Sequence, residues 1–277
     1  MSARPIAEEL GVVVVDYHCL AGVHAHGPEE WNASHNVAFV RRGVFALQTA
    51  RTSAVADPNQ VLFFNAHQPY RVAHPVAGGD DCTSLVLPDA LARQLVARHS
   101  PSDADDAAAP FRFDRALSSP RATRLHYELL ARARAGGALG LQDTLAELLD
   151  EALAGAYERR PAAASGRAAT RRRDLAHAAA VAVQADLTAT PSLADLAGTL
   201  GCSPFHLSRV FREQAGLSLR AYLKRLRART AADHLSGGAP DLTSLALRLG
   251  YADHSHFTNA FRDEWGQPPS AFRARHH

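Results

Sequence analysis

Between Leu193 and Phe272 the chain runs through one pattern twice, and few folds accommodate that. The first copy reads SLADLAGTLGCSPFHLSRVFREQAGLSLRAYLK and the second DLTSLALRLGYADHSHFTNAFRDEWGQPPSAFRA. With the glycines aligned, Leu193, Leu196, Ala197, Leu200 and Gly201 match Leu242, Leu245, Ala246, Leu249 and Gly250. One extra turn residue follows in the second copy. After it, Ser203, Leu207, Phe211, Arg212, Gly216 and Ala221 match Asp253, Phe257, Phe261, Arg262, Gly266 and Ala271. Self-similarity of this kind means two units of one local structure.

Each unit reads as helix, tight turn, helix. Leu193, Leu196, Ala197 and Leu200 fall at helical spacing and form one apolar stripe. Gly201 supplies the left-handed residue that ends this helix. Ser203 then serves as N-cap of the next helix and Pro204 as its first residue. Leu207, Val210 and Phe211 point inward, leaving Phe205, Ser208, Arg209 and Arg212 outside. In the second unit Asp253 caps and Phe257, Ala260 and Phe261 face inward. His254, Ser255, Thr258, Asn259 and Arg262 face out. The i, i+1, i+4, i+5, i+8 spacing gathers these groups on one edge, which suits entry into a DNA major groove. Simple solvation of that face is the other reading. The duplication, and the Gly-x-x-x-x-Ala-aromatic ending of each copy, favour the DNA.

Charge is divided along the chain in the same sense. Residues 171–277 hold 14 Lys and Arg against 9 Asp and Glu, whereas residues 1–170 hold 16 against 19. The carboxyl-terminal part is therefore the part that should meet phosphates. The chain has no apolar run of 18 residues, so no membrane span is expected. Its start, MSARPIAEELGVVVVDYH, lacks the long apolar core of a signal peptide. Cys19, Cys82 and Cys202 are too scattered for a disulfide framework or a zinc spacing. A cytoplasmic location is the expectation.

The amino-terminal part is patterned differently. Residues 11–15, 36–40, 44–47, 61–64 and 83–87 are short apolar runs that read as strands. Arg42-Gly43 and Asp57-Pro58-Asn59 mark turns between them. Strands without intervening helices point to a sandwich or barrel. From Pro88 the period changes: Leu91, Leu95 and Val96 open a short helix, and 100–110 reads as an acidic, alanine-rich loop. Residues 117–135 and 139–160 then read as amphipathic helices, with Leu125, Leu129, Leu141, Leu145, Leu148, Leu149 and Leu153 as their apolar faces. Those faces either pack on the strands or form a dimer interface. Residues 161–170 lack any period and read as a linker. Arg171, Arg172 and Arg173 open the next helix, either as a solvated start or as phosphate contacts.

Taken together, the tandem pattern over residues 174 to 275, most specifically GYADHSHFTNAFRDEWGQPPSAFR, resembles the AraC/XylS family of transcription regulators. The resemblance implies an α+β chain: a cupin-like β-barrel with flanking helices in 1–160 for effector sensing and dimerisation, then the linker 161–170. An all-α DNA-binding domain would follow over 171–277, with its helix-turn-helix motifs near 193–214 and 242–265. It implies promoter DNA, RNA polymerase, a second copy of the chain and a small-molecule effector as partners, with no membrane, no cofactor, no metal and no catalytic residues. The DNA-facing set would be Pro204, Phe205, Ser208, Arg209, Arg212, His254, Ser255, Thr258, Asn259 and Arg262, with Lys224 beside them. The family often has arginine where Asn259 stands, so an adenine contact is the expectation there.

His24-x-His26-x-x-x-Glu30 is similar to the metal motif of cupin enzymes, though Tyr70 stands where those supply a further histidine, with His67 and His74 near. Three readings stay open: metal ligands, a polar effector lining that includes Trp31 and Tyr70, or ordinary strand and loop histidines. The first would make the chain a cupin oxygenase or isomerase fused to a DNA-binding module. A DNA-alkylation repair role would need a reactive proline-cysteine-histidine setting or a zinc cluster, which no cysteine here has.

Overall fold

A computed structural model describes residues 2–25, 27–50, 53–136, 140–159, 166–238 and 241–276. Contacts divide the chain into two compact units, Met1–Arg160 and Pro161–Arg275.

Among the described residues the first unit holds ten strands: β1 (Ser2–Glu9), β2 (Val12–Cys19), β3 (Glu29–Glu30), β4 (His35–Gly43), β5 (Phe45–Thr49), β6 (Ser53–Ala56), β7 (Gln60–Phe64), β8 (Tyr70–Ala73), β9 (Asp80–Leu87) and β10 (Arg115–Leu117). They form a six-stranded sheet in the order β1-β2-β9-β4-β7-β10 and a four-stranded sheet in the order β3-β8-β5-β6. Neighbours run antiparallel throughout. Side chains alternate between the faces of the six-stranded sheet. Val12, Val14, Val37, Phe39, Val61, Phe63, Leu85 and Leu87 point to one face and join a core shared with helices. Ala38, Val40, Leu62 and Cys82 point to the other and pack with Phe45, Leu47 and Ala56 of the second sheet. A strand covered on both faces has no solvent-facing side, which is why residues 37–40, 61–64 and 85–87 are apolar at successive positions.

Its described residues also form helices α1 (Asp89–Ala97), α2 (Pro101–Ala104), α3 (Pro120–Arg134) and α4 (Leu141–Glu158). The stretch expected as a loop at 100–110 thus contains a helical turn, started by Pro101 at the first helical position. Leu117 is not helical. It ends β10, and helix α3 starts after Ser119, whose hydroxyl accepts from the Ala122 N–H. Leu129, Leu141, Leu145, Leu148, Leu149 and Leu153 are buried in the core facing the six-stranded sheet, with Leu125 packed against it. The leucine faces are therefore covered inside the unit, and exposed leucines no longer argue for a dimer. Burying each contributes on the order of 2 kcal/mol.

The second unit is all helix: α5 (Arg167–Ala185), α6 (Leu193–Thr199), α7 (Pro204–Ala215), α8 (Leu219–Ser236), α9 (Leu242–Arg248), α10 (His254–Trp265) and α11 (Pro269–His276). Helix α5 begins at Arg167, so the last residues of the expected linker are helical and the arginine triplet lies a turn inside the helix. Residues 161–165 lie outside the described residues.

The central helix, α8, carries two arginines into the interior. Arg229 donates from Nε and one terminal nitrogen to Oε1 of Glu264 on α10, at 2.9 and 2.7 Å. Arg227 donates to the carbonyls of Leu187 and Ala189, at 2.8 and 2.9 Å, and to Thr190 Oγ1 at 3.0 Å. One residue thus ties the loop before the first helix-turn-helix to the helix that joins the two.

Candidate nucleic-acid interface and ligand cavity

The two helix-turn-helix units are built alike to the level of single hydrogen bonds. Gly201 and Gly250 close α6 and α9 with φ of 67° and 74°, in the left-handed region. The residue after each donates back across the turn, Cys202 to the Ala197 carbonyl and Tyr251 to the Ala246 carbonyl, both at 3.0 Å. Gly250 is required twice over. A Cβ there would stand 2.6 Å from both the Arg227 guanidinium and the Thr188 carbonyl oxygen. Ser203 Oγ accepts from the His206 N–H at 3.2 Å and Asp253 Oδ1 from the His256 N–H at 2.7 Å, capping α7 and α10. Each recognition helix ends on a left-handed glycine, Gly216 or Gly266.

The aromatic residue that closes each copy has a packing role. Tyr222 meets Phe211 edge-on at 5.1 Å, and Phe272 meets Phe261 edge-on at 5.4 Å. Leu207, Val210, Phe211, Phe257 and Phe261 are all buried. The opposite faces are open to solvent: Pro204, Phe205, Arg209 and Arg212 on α7, and His254, Ser255, Asn259 and Arg262 on α10. Phe205 is 79% exposed, a large apolar ring held out where no core needs it. Ser208 and Thr258 sit at the rim, half-buried. The Thr258 hydroxyl is itself buried, so it offers a groove less than its position suggests. Arg209 faces Glu213 at 3.6 Å, and Lys224 pairs with Asp263 at 2.7 Å, joining α8 to α10. The 18 residues of α8 span about 27 Å, close to the ~34 Å repeat of the duplex.

In the first unit a cavity of about 430 Å³ opens between the two sheets. His24, Glu30, Trp31 and Tyr70 line it, together with Asn32, Phe45, Phe64, Val72 and His74. His26 lies outside the described residues. Tyr70 stacks obliquely on Phe64 at 5.0 Å, and its hydroxyl reaches Asn32 at 3.4 Å. Burial and the Glu30 carboxylate, its hydrogen-bond partner, push the Tyr70 phenol well above its usual range. Within the motif His24-x-His26-x-x-x-Glu30, the two described residues turn to different partners. His24 turns to His74, 3.1 Å away between ring nitrogens, while Glu30 turns to Tyr70. Cys19 and Cys82, too scattered in sequence to suggest a site, also line this space, as does Asp80, which nothing in the sequence marks out. Burial first, and the Asp80 carboxylate second, push both thiols upward.

Two capped helix-turn-helix units on one connecting helix define a DNA-binding module. Comparison agrees: the helix-turn-helix domain family matches residues 196–275. The transcriptional activator AarP of Providencia stuartii is 32% identical over 91 residues, which are 33% of this chain and 67% of AarP. The regulatory protein PocR of Salmonella typhimurium is 29% identical over 91 residues, 33% of this chain and 30% of PocR. The first curated relatives are spanned over 30%, 25% and 24% of their own length. The crystal structure of ToxT from Vibrio cholerae covers 96% of this chain and 97% of its own, at 13% identity and a TM-score of 0.37. The chain belongs to the AraC-type family of DNA-binding transcription regulators. Among the described residues no helix is long and apolar enough to cross a membrane.

Proposed function

We propose that this regulator answers to a small molecule held between the sheets of its first unit and reads a two-part promoter site with α7 and α10. Arg212 and Arg262 would meet phosphates and set affinity and salt dependence. Arg209 suits a guanine, Asn259 an adenine, and Phe205 a thymine methyl or deoxyribose. In this reading the chain acts in the cytoplasm as a homodimer and contacts RNA polymerase.

The observation that carries the effector reading is the cavity. Its volume falls in the range of small-molecule sites, and its apolar walls, Phe45, Phe64 and Val72, surround a few polar groups, Glu30, Asn32 and Tyr70. The test is a thermal-shift screen of metabolites against the full chain. A ligand at a hundred times its Kd stabilises by about 2.7 kcal/mol. Val72→Trp, which fills the space, should abolish the shift. A shift that survives that substitution would move the effector elsewhere, and a chain that no metabolite stabilises would leave the cavity without a role.

A further inference from the structure

Four side chains that DNA binding does not use converge at one end of the cavity. Cys19 ends β2 directly opposite Asp80, the first residue of β9. Paired residues of an antiparallel sheet present their side chains to one face. Here it is the face toward the second sheet, because Tyr17 and Cys82, paired two residues further along, pack there too. His74 follows β8, and its backbone is bridged to His24 by hydrogen bonds of 3.0 and 3.1 Å. One ligand-type atom each from Cys19, His74 and Asp80 lies within 4.8 Å of the other two. A glycine makes the approach feasible: a Cβ on Gly79 would stand 1.9 Å from the Cys19 carbonyl oxygen.

We propose that Cys19, His74 and Asp80 bind a transition-metal dication of the zinc kind, with His24 orienting His74. A thiolate, an imidazole and a carboxylate form the donor set of a borderline-soft ion, whereas calcium and magnesium take oxygen ligands throughout. Tetrahedral ligands with bonds of about 2.0–2.3 Å stand roughly 3.3–3.7 Å apart, so atoms already within 4.8 Å need shifts of about an ångström. Two of the ligands, His74 and Asp80, are also held from behind. A coordinating imidazole donates its second N–H to an acceptor, and His24 Nε2 lies 3.1 Å from His74 Nδ1 in that position. His74 Nε2 meets Asp80 Oδ1 at 2.7 Å, and the other Asp80 oxygen accepts from Cys82 Sγ at 3.2 Å. Among the described residues the buried His24 Nδ1 has no hydrogen-bond partner, an unsatisfied polar atom at the site itself. Three protein ligands leave the fourth position to water or to a donor atom from a molecule in the cavity. The metal site holds whether or not an organic effector fills the remaining space.

The test uses the full chain, stripped of metal under reducing conditions and titrated with Co2+ alone. The expected result is one equivalent per chain, a thiolate-to-cobalt charge-transfer band in the near ultraviolet, the visible absorption of a four-coordinate ion, and displacement by Zn2+. Cys19→Ser should lose the thiolate band and bind at least tenfold more weakly. Asp80→Asn, which keeps the shape of the side chain, should weaken binding by a similar factor. His24→Phe should keep the band and weaken binding about 10- to 100-fold, the effect of removing a partner behind a ligand. Cys202→Ser, in the other unit, should change nothing. Binding well below one equivalent in the unsubstituted chain would overturn the proposal, as would a thiolate band that persists in Cys19→Ser. Neither result would touch promoter binding or the effector screen.

Discussion

Replacing Arg229 by methionine tests how the second recognition helix is held. The guanidinium and the Glu264 carboxylate are both buried, and two hydrogen bonds of 2.7 and 2.9 Å join them. Removing one partner of a buried pair leaves an uncompensated charge and costs about 3–5 kcal/mol. Arg225 stays 3.5 Å from the other Glu264 oxygen, which places the expected cost near the lower end. About 3 kcal/mol is a factor of roughly 150 in the folding equilibrium. With a urea m-value of about 2 kcal/mol/M, the midpoint should fall by about 1.5 M. Trp265 reports locally: it stacks on Phe261 and donates its indole N–H to the Ala228 carbonyl, one residue from Arg229. The other tryptophan, Trp31, is 65% exposed in the first unit and can be removed as Trp31→Phe. Urea titration of Trp265 fluorescence in that background gives the cost. The double change Arg229→Met with Glu264→Met should restore much of it, because replacing both charges by apolar groups removes the desolvation penalty along with the attraction. A single change costing under about 1 kcal/mol, or a double mutant as weak as the two singles added, would refute this account.

Further outcomes follow from other groups. His126 is buried and stacked on Phe39 at 4.7 Å, and burial holds its imidazole well below the usual range. The unfolded chain binds a proton there that the folded unit refuses. Stability of the first unit should therefore be lost as pH falls below 6.5, by up to about 1.4 kcal/mol per pH unit from this group, and His126→Phe should flatten that slope. A slope equal in both proteins would count against it. Arg212→Ala should weaken binding to every DNA sequence and lower the slope of log K against log salt by about one, and an unchanged slope removes it from the phosphate contacts. Asn259→Ala should relax preference at one base pair by about 1–3 kcal/mol, read from competition with single-base variants of the site. Unaltered preference would assign Asn259 to solvent.

What the sequence made legible was local chemistry. The N-caps Ser203 and Asp253, the glycines that end α6 and α9, and the inward faces of α7 and α10 all follow from residues within a few positions of one another. Strands β4, β7 and β9 are legible from the apolar stretches 37–40, 61–64 and 85–87, where burial on both faces favours apolar side chains on each. Strand β1 did not: its sequence SARPIAEE is largely polar, and it sits at the edge of the sheet with one side unpaired. Leu117 reads as helical in the sequence because three residues of strand running into a capped helix have no period of their own. Long-range pairings are out of reach in the same way. His24 meets His74 across 50 positions, and Arg229 meets Glu264 across 35. An arginine in the middle of RLRARTAADHLS reads as a solvated helix face until the fold wraps other helices round it. In the sequence the cavity is marked only by His24, His26, Glu30, Trp31 and Tyr70, since the sulfur and carboxylate groups that also line it arrive from strands far apart in the chain.

The most direct measurement is a selection of genomic fragments by the full chain at moderate salt, followed by sequencing of what is retained. The account predicts one enriched motif with two half-sites about 10–10.5 base pairs apart, the half read by α10 losing definition in Asn259→Ala and the half read by α7 in Arg209→Ala. Retention no better than bulk DNA, or a single half-site indifferent to one of the two helices, would contradict it.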